Sequence, residues 1–153
     1  MKILKANISN LNISNITFIN GDARVFQYEN QFTKILIDSP CSSTGTIRKN
    51  PDIKWKLTNE NIKHFSKTQY DILNNLSNYL KIEGEIMYCT CSLLNEENES
   101  IISRFLDNNN SFSIVSYKGD KLNNFVNNLG GITILPTKGN YEGMFAVKMV
   151  KNA

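Results

Sequence analysis

The chain has 153 residues, 20% of them charged, and a formal net charge of +3, which suits one domain with a buried core rather than two. No apolar run approaches the roughly 18 residues that a membrane-spanning helix needs, and the N-terminus lacks the apolar stretch of a secretory signal, so we expect a cytoplasmic protein. Lysine and asparagine are abundant and arginine is rare, a bias typical of AT-rich coding, so the positive charge alone is weak evidence for nucleic-acid binding.

The first part of the chain shows one helical and two strand patterns. Apolar residues at helical spacing predict a helix over residues 2–15. Residues 16–19 (ITFI) then predict a short strand that ends at an Asn-Gly-Asp turn. Residues 32–38 (FTKILID) predict a second strand, and their continuous apolar triplet indicates burial on both faces, as in a parallel sheet.

The rest of the chain continues the alternation of helices and strands. Thr58 is the predicted N-cap of a long amphipathic helix that ends near Leu80. Asn95 is the predicted cap of another helix, whose first turn holds Glu96 and Glu97, the charge that a helix dipole favours there. Three more strands are predicted at residues 85–91, 111–117 and 144–150. This order is typical of an α/β fold, in which ligands bind at the carboxyl ends of the strands.

Polar side chains follow three of the predicted strands. Asp22 follows the first strand, Asp38 and Cys41 follow the second, and Cys91 closes the third. Each feature alone is a common turn-forming or packing residue. Because two carboxylates and two thiols converge on adjacent strand ends, we expect a functional site at this edge of the sheet.

The thiols limit the chemistry of such a site. Three cysteines without a secretion signal argue against a disulfide framework. A Cys-His hydrolase is poorly supported because the single histidine, His64, lies within a predicted helix. A zinc site from His64, Cys41, Cys89 and Cys91 is chemically allowed, but Cys89 and Cys91 are alternate strand residues rather than a C-x-x-C knuckle. We therefore expect no metal, and we interpret Cys89 as a packing residue.

Two long motifs carry a resemblance to a known family. Residues 35–55 (ILIDSPCSSTGTIRKNPDIKW) resemble the stretch D-A-P-C-S-G-T-G-x-x-R-x-x-P-D-I-K-W, and residues 88–99 (YCTCSLLNEENE) resemble Y-A-T-C-S-x-x-x-E-E-N-E. Both stretches mark RNA cytosine-5 methyltransferases of the NOL/NOP/Sun family, in particular its RsmB-like (Sun) branch. Residues 21–24 and 142–148 are similar to the G-D-A and D-G-F-F-x-A-K elements of that family. Ser39 and Ser43 depart from the pattern, where the family has Ala and Gly.

The resemblance implies a site and a reaction. By motif match, Cys91 adds to C6 of a cytosine in RNA, C5 takes a methyl group from S-adenosylmethionine, and Cys41 assists release of the covalent adduct. Asp38 would bind the cytosine edge and line the cofactor pocket, and Asp22 would contact the adenine end of the cofactor. The RNA is expected to be ribosomal. Arg48, Lys49 and Lys54 are candidate contacts to RNA phosphates, although they are equally well interpreted as solvated surface cations.

The resemblance also implies a partial fold. Residues 1–153 would form the C-terminal portion of the catalytic domain, because the family has an RNA-binding domain, a glycine-rich cofactor loop and an acidic ribose-binding residue upstream of the matched region. We expect a Rossmann-like methyltransferase fold with a mostly parallel sheet, an antiparallel C-terminal edge and without the first two strands. A complementary N-terminal fragment is then an expected partner. The alternative function is a non-catalytic remnant or RNA-binding fragment that cannot bind the cofactor alone.

Overall fold

The structure, a computed structural model, describes residues 2–153. Its helices are α1 (Lys2–Asn10), α2 (Ile53–Lys56), α3 (Asn59–Ser77) and α4 (Glu99–Asn108), and its strands are β1 (Phe32–Asp38), β2 (Leu80–Thr90), β3 (Phe112–Ile114), β4 (Ile132–Ile134) and β5 (Met144–Lys151). Short 3-10 turns lie at Thr44–Thr46, Asn95–Glu97, Asp120–Phe125 and Pro136–Lys138. Within these described residues, every helix is too short or too polar to cross a membrane.

The strands form one sheet in the order β1-β2-β5-β3, with β4 also paired to β5. β1 and β2 are parallel, whereas β5 is antiparallel to β2, β3 and β4. Four strands therefore run in one direction and the C-terminal strand in the other, which confirms the predicted α/β fold with a mostly parallel sheet. β5 lies between β2 and the two short strands rather than forming the edge itself.

One face of the sheet packs against α3 and α4. The buried core joins apolar side chains of these two helices to inward-facing residues of the long strands: Ile37, Ile72, Leu73, Ile86, Tyr88, Ile101, Ile102, Phe105, Phe145, Val147 and Met149. Thr58 caps α3 as predicted: its hydroxyl accepts a hydrogen bond from the Asn61 amide, and the Asn61 side chain accepts one from the Thr58 amide. The helices thus hold the long strands from one side only.

The opposite face of the sheet is largely open. Leu36 of β1 is 69% exposed and Met87 of β2 is 37% exposed, although both lie in the middle of long strands. A broad pocket of about 750 Å³ lies on this face beside β5, with Met87, Ala146 and Lys148 in its floor.

Two predicted elements are wrong, and the bounds of two strands differ from the prediction, since β2 begins at Leu80 rather than at residue 85 and β3 covers only Phe112–Ile114. Residues 16–19 do not form a strand, and Ile16 and Ile19 are 43% and 50% exposed, because no described strand lies beside them to complete their backbone hydrogen bonds. Asn95 does not begin the second long helix: the chain makes a 3-10 turn over Asn95–Glu97, and α4 starts at Glu99. The first predicted helix is present but ends at Asn10.

Candidate active site at the carboxyl ends of β1 and β2

Two thiols meet where the parallel strands β1 and β2 end. Cys41 lies three residues beyond β1, and Cys91 directly follows β2. Their sulfur atoms are 3.2 Å apart, and the Cys91 Sγ is 3.4 Å from the Ser43 Oγ. Because neighbouring parallel strands end side by side, the two motifs that carry these thiols are brought together by the sheet itself.

Backbone hydrogen bonds join three loops around the thiols. The Gly45 amide donates to the Cys91 carbonyl and the Gly143 amide donates to the Gly45 carbonyl, both at 2.8 Å. A Cβ atom at Gly45 would overlap both carbonyl oxygens it faces, those of Gly143 and Cys91. Glycine at this position therefore allows the loop after β1 to lie against the loop after β2.

A buried carboxyl group lies behind the two loops. Glu97 is fully buried, and its Oε1 accepts hydrogen bonds from the Ser42 amide at 2.9 Å and from Gln69 Nε2 at 3.1 Å. Its Oε2 accepts from the hydroxyls of Ser42 and Ser92. Ser42 follows Cys41 and Ser92 follows Cys91, so one side chain binds the residue next to each thiol.

Further bonds extend this network. Gln69 of α3 also donates to the Pro40 carbonyl at 2.9 Å, on the other side of Cys41. The buried Asn98 side chain accepts from the Thr90 hydroxyl at 2.6 Å and donates to the Ser92 carbonyl at 2.9 Å, so it holds both residues beside Cys91. The backbone on each side of both thiols is thereby fixed by buried groups.

Burial makes the Cys41 thiol a weak acid. Removal of this half-buried group from water is the largest cause that raises its pKa well above the usual range, and the hydrogen bond with Cys91 raises it further. At neutral pH Cys41 is therefore a protonated thiol that can donate a proton. Burial also raises the pKa of Cys89, which pairs in register with Ala146 and Asp38. Among the described residues, Cys89 forms no hydrogen bond with either of the two paired thiols.

The two predicted carboxylates lie in different surroundings. Asp38 is exposed at the end of β1. The single Nε–H of Arg24 is shared between the two carboxylate oxygens of Asp22, at 2.9 and 3.0 Å, and the pairing with Arg24 lowers the pKa of Asp22 to about 2. The turn that holds Asp22 is anchored to α3 by the Asn75 amide. Within the described residues, Asp22 contacts neither Asp38 nor either thiol.

The predicted phosphate-binding residues are exposed near the loops. The Arg48 guanidinium donates to Asn140 Oδ1 at 2.8 Å, and Lys49 forms an ion pair with Glu142. Lys54 is exposed on α2. A pocket of about 230 Å³ opens beside Cys41, and Ile53, Lys56, Leu57, Asn61 and Phe65 line it. In the part of the chain that the structure describes, no cluster of three His, Cys, Asp or Glu side chains is placed to hold a metal ion.

Sequence reasoning missed the buried polar residues that support the thiols. Glu97 was assigned to the first turn of a helix, yet it points into the protein and binds both loops. Burial of Ser42, Ser92 and Gln69 was not predicted, because polar residues are usually exposed. A usable signal existed for Glu97, since it lies in the same motif as Cys91, six residues further on.

Comparisons with known proteins agree with this architecture. A profile of the family described as "16S rRNA methyltransferase RsmB/F" matches residues 1–150. The chain is 36% identical, over 99% of its length, to the ribosomal RNA small subunit methyltransferase B of Photorhabdus laumondii subsp. laumondii, of which it covers 34%.

Two solved structures share the fold. The crystal structure of PH0851 matches 99% of this chain with a TM-score of 0.87 and 30% identity, and 34% of that chain is covered. A methyltransferase homologue protein from Pyrococcus horikoshii matches 98% of this chain with a TM-score of 0.80 and 27% identity, and 49% of it is covered. The chain spans about a third of the length of the methyltransferase B from Photorhabdus laumondii subsp. laumondii described above.

Proposed function

We propose that this chain, which belongs to the 16S rRNA methyltransferase RsmB/F family, carries the two reactive thiols of an enzyme. The proposed enzyme methylates C5 of a cytosine in ribosomal RNA. The observation that carries the proposal is the contact between Cys41 Sγ and Cys91 Sγ, 3.2 Å apart at adjacent strand ends. A ribosomal RNA substrate also implies a cytoplasmic protein.

Cys91 is the proposed nucleophile. The C5 atom of cytosine is a poor nucleophile, and addition of a thiolate at C6 makes C5 electron-rich. The bond between Cys91 Sγ and C6 forms first, C5 then gains the methyl group, the C5 proton leaves to solvent water, and the Cys91–C6 bond breaks. Cys91 follows the last residue of β2 and is held through its neighbours by Asn98, which suits a group that must attack at a fixed position.

Cys41 is the proposed assistant in product release. Its raised pKa keeps it protonated at neutral pH, so it can give a proton to the Cys91 sulfur as the Cys91–C6 bond breaks. The 3.2 Å distance between the two sulfur atoms allows that transfer without movement of either loop. Cys41 would then recover a proton from solvent.

The two carboxylates are the proposed contacts to cofactor and base. S-adenosylmethionine, when bound, supplies an electrophilic methyl group. Carboxylate oxygens accept hydrogen bonds, so Asp38 and Asp22 fit the amino and hydroxyl groups of a nucleoside. Asp38 is exposed at the strand end and is the better placed of the two. Asp22 is already paired with Arg24, so an adenine amino group would share that carboxylate with the guanidinium.

The basic residues near Cys41 are the proposed RNA contacts. Arg48, Lys49 and Lys54 lie on or next to the loop that follows Cys41, where they can neutralise phosphates beside the target cytosine. The target base must leave its stack to reach the thiols. The partners of Arg48 and Lys49 are the exposed Asn140 and the half-buried Glu142, so these cations can exchange them for phosphate oxygens.

A complementary protein segment is the proposed partner of the open face of the sheet. Leu36 and Met87 are exposed there in the middle of long strands, and a pocket of about 750 Å³ lies beside β5. Apolar strand residues of this kind are normally covered in an α/β fold, because helices pack on both faces of its sheet.

A methyl-transfer assay tests the proposed reaction. The chain, with an unmodified 16S rRNA transcript and S-adenosylmethionine tritiated on the methyl group, should transfer label to cytosine C5. Cys91→Ala should lose the transfer, whereas Cys89→Ala, a thiol outside the pair, should keep it within about twofold. Equal transfer by Cys91→Ala and the unmodified protein would contradict the role of Cys91. A folded chain without any transfer would favour a non-catalytic RNA-binding fragment.

A further inference from the structure

We propose that Glu97 is a positioning residue that holds the two thiol-bearing loops in register, so that Cys41 and Cys91 stay in contact. The inference deepens the proposed function, because it names the side chain that aligns the proposed nucleophile with its proton donor. The positioning itself is a geometric property of the chain and can be measured without RNA or cofactor.

The contacts of Glu97 reach both loops at once. On the Cys41 loop it accepts from the Ser42 amide at 2.9 Å and from the Ser42 hydroxyl. On the Cys91 loop it accepts from the Ser92 hydroxyl. The two serines also contact each other, with 3.2 Å between their Oγ atoms. A single carboxyl group thus links residues that are 50 positions apart in the sequence and each adjacent to a thiol.

The surroundings of Glu97 favour a fixed carboxylate. Its side chain is fully buried, and it forms no ion pair with any side chain that the structure describes. A buried charge without a cation is retained only when hydrogen-bond donors compensate it. Four donors converge on its two oxygens, from Ser42, Ser92 and Gln69, and an ionised carboxylate can accept all four. If it moved, several buried donors would lose their partner at once.

The local fold explains how Glu97 reaches this place. The 3-10 turn Asn95–Glu97 lies between β2 and α4, and it turns Glu97 inward while Glu96 stays exposed. The Glu97 carbonyl is held by the buried Tyr88 hydroxyl at 2.7 Å. Backbone and side chain of Glu97 are therefore both anchored, the first to the core and the second to the loops.

The alternative is that Glu97 contributes to stability alone. In that case its removal would destabilise the fold but would leave the geometry of the two thiols unchanged in molecules that are folded. The effective concentration of one thiol for the other distinguishes these cases, because it reports the alignment of the sulfur atoms in the folded state. It is obtained from the equilibrium in which Cys41 and Cys91 form a disulfide while oxidised glutathione is reduced to two molecules of glutathione.

The experiment uses the full chain with Cys89→Ala, so that only the paired thiols remain. Disulfide formation is measured across glutathione buffers, at a temperature where circular dichroism shows each variant to be folded. We expect Glu97→Ala to lower the effective concentration at least tenfold. Glu97→Gln keeps the shape and one acceptor, so it should retain more of the effective concentration than Glu97→Ala. Glu96→Gln, the same change at the exposed neighbour, should stay within twofold of the unmodified protein.

Ser92→Ala is the second variant, and it decides the case if Glu97→Ala does not fold. It removes the hydroxyl that joins Glu97 to the Cys91 loop and that also accepts from the Leu94 amide, while three other donors to Glu97 remain, and we expect at least a threefold loss. A folded Glu97→Ala, or a Ser92→Ala, with an effective concentration equal to that of the unmodified protein would overturn the proposal. Because neither RNA nor S-adenosylmethionine is present, failure here would leave the methyl-transfer result untouched, and failure of methyl transfer would leave this result untouched.

Discussion

Cys41 and Cys91 share a contact but have different neighbours. Cys41 owes its raised pKa first to burial and then to Cys91. Cys91 has a second polar neighbour, the Ser43 hydroxyl at 3.4 Å. Ser43 occupies a left-handed backbone conformation, with φ of 58°, at the position where the resembled motif has glycine. The sequence indicated this departure, but only the structure shows that the serine brings a hydroxyl to the thiol at the cost of backbone strain.

The first prediction concerns the pH dependence of Cys41. A thiol reacts with iodoacetamide only as thiolate, and the pKa of Cys41 is raised. Its alkylation should therefore be slow at pH 8 and should still increase above pH 9, measured by mass spectrometry of the peptide that contains Cys41. N-acetylcysteine, measured in parallel, gives the profile of an ordinary thiol. A Cys41 rate that levels off at the same pH as that of N-acetylcysteine would contradict the assigned environment.

The second prediction concerns the strain at Ser43. Glycine adopts φ near 58° without the Cβ clash, a relief of about 1–2 kcal/mol that its greater freedom in the unfolded chain partly offsets. Ser43→Gly should therefore increase the free energy of unfolding by about 0.5–1 kcal/mol in urea denaturation. Ser113→Gly, in β3 and without a positive φ, should decrease it. A loss of stability in Ser43→Gly would show that the Ser43 hydroxyl matters more than the strain.

Elements whose pattern is local were predicted well. β1 has the predicted bounds, Phe32–Asp38, because its apolar run and the following Ser-Pro are both in the sequence. Thr58 caps α3 because its capping partner Asn61 is three residues away. The predicted start of α4 is wrong because the chain first makes the turn Asn95–Glu97. Glu97 in this turn binds the loop after β1, which is distant in the sequence. The strand predicted at residues 16–19 is absent because a strand exists only beside another strand.

The third prediction concerns the junction of the loops. Gly45→Ala places a methyl group against the carbonyl oxygens of Gly143 and Cys91. Backbone atoms cannot turn away as a side chain can, so the free energy of unfolding should fall by about 1–3 kcal/mol. The matched control is Gly21→Ala, whose methyl group meets only the Phe26 ring and should cost less than about 1 kcal/mol. Equal effects of the two substitutions in urea denaturation would contradict the tight junction.

At the scale of the whole molecule, the sheet is covered on one face and open on the other. The covered face carries the core with α3 and α4, and the open face exposes Leu36 and Met87. The sequence predicted the α/β order and the convergence of the motifs at the strand ends, because strand direction and connection rules are general. It did not predict the support behind the thiols, since which polar residues become buried depends on contacts between distant segments.

The fourth prediction concerns the stability of different parts of the molecule. Amide hydrogens at Ile16 and Ile19 lie outside any strand, so they should exchange with deuterium at nearly the rate of an unfolded chain. Those of Ile86 and Val147, in the paired strands β2 and β5, should exchange at least about a thousandfold more slowly. Strong protection at Ile16 and Ile19 in a monomer would mean that this segment pairs with a strand after all.

The most direct measurement is to find the residue that becomes bonded to RNA. With a 16S rRNA transcript in which 5-fluorocytidine replaces cytidine, C5 of the proposed target base carries no proton to lose, so the bond between the attacking sulfur and C6 should persist. After reaction with S-adenosylmethionine and digestion of the RNA, mass spectrometry should find the nucleotide on Cys91, and Cys91→Ala should give no adduct. A nucleotide on Cys41 or Cys89, or an adduct that survives in Cys91→Ala, would contradict the account.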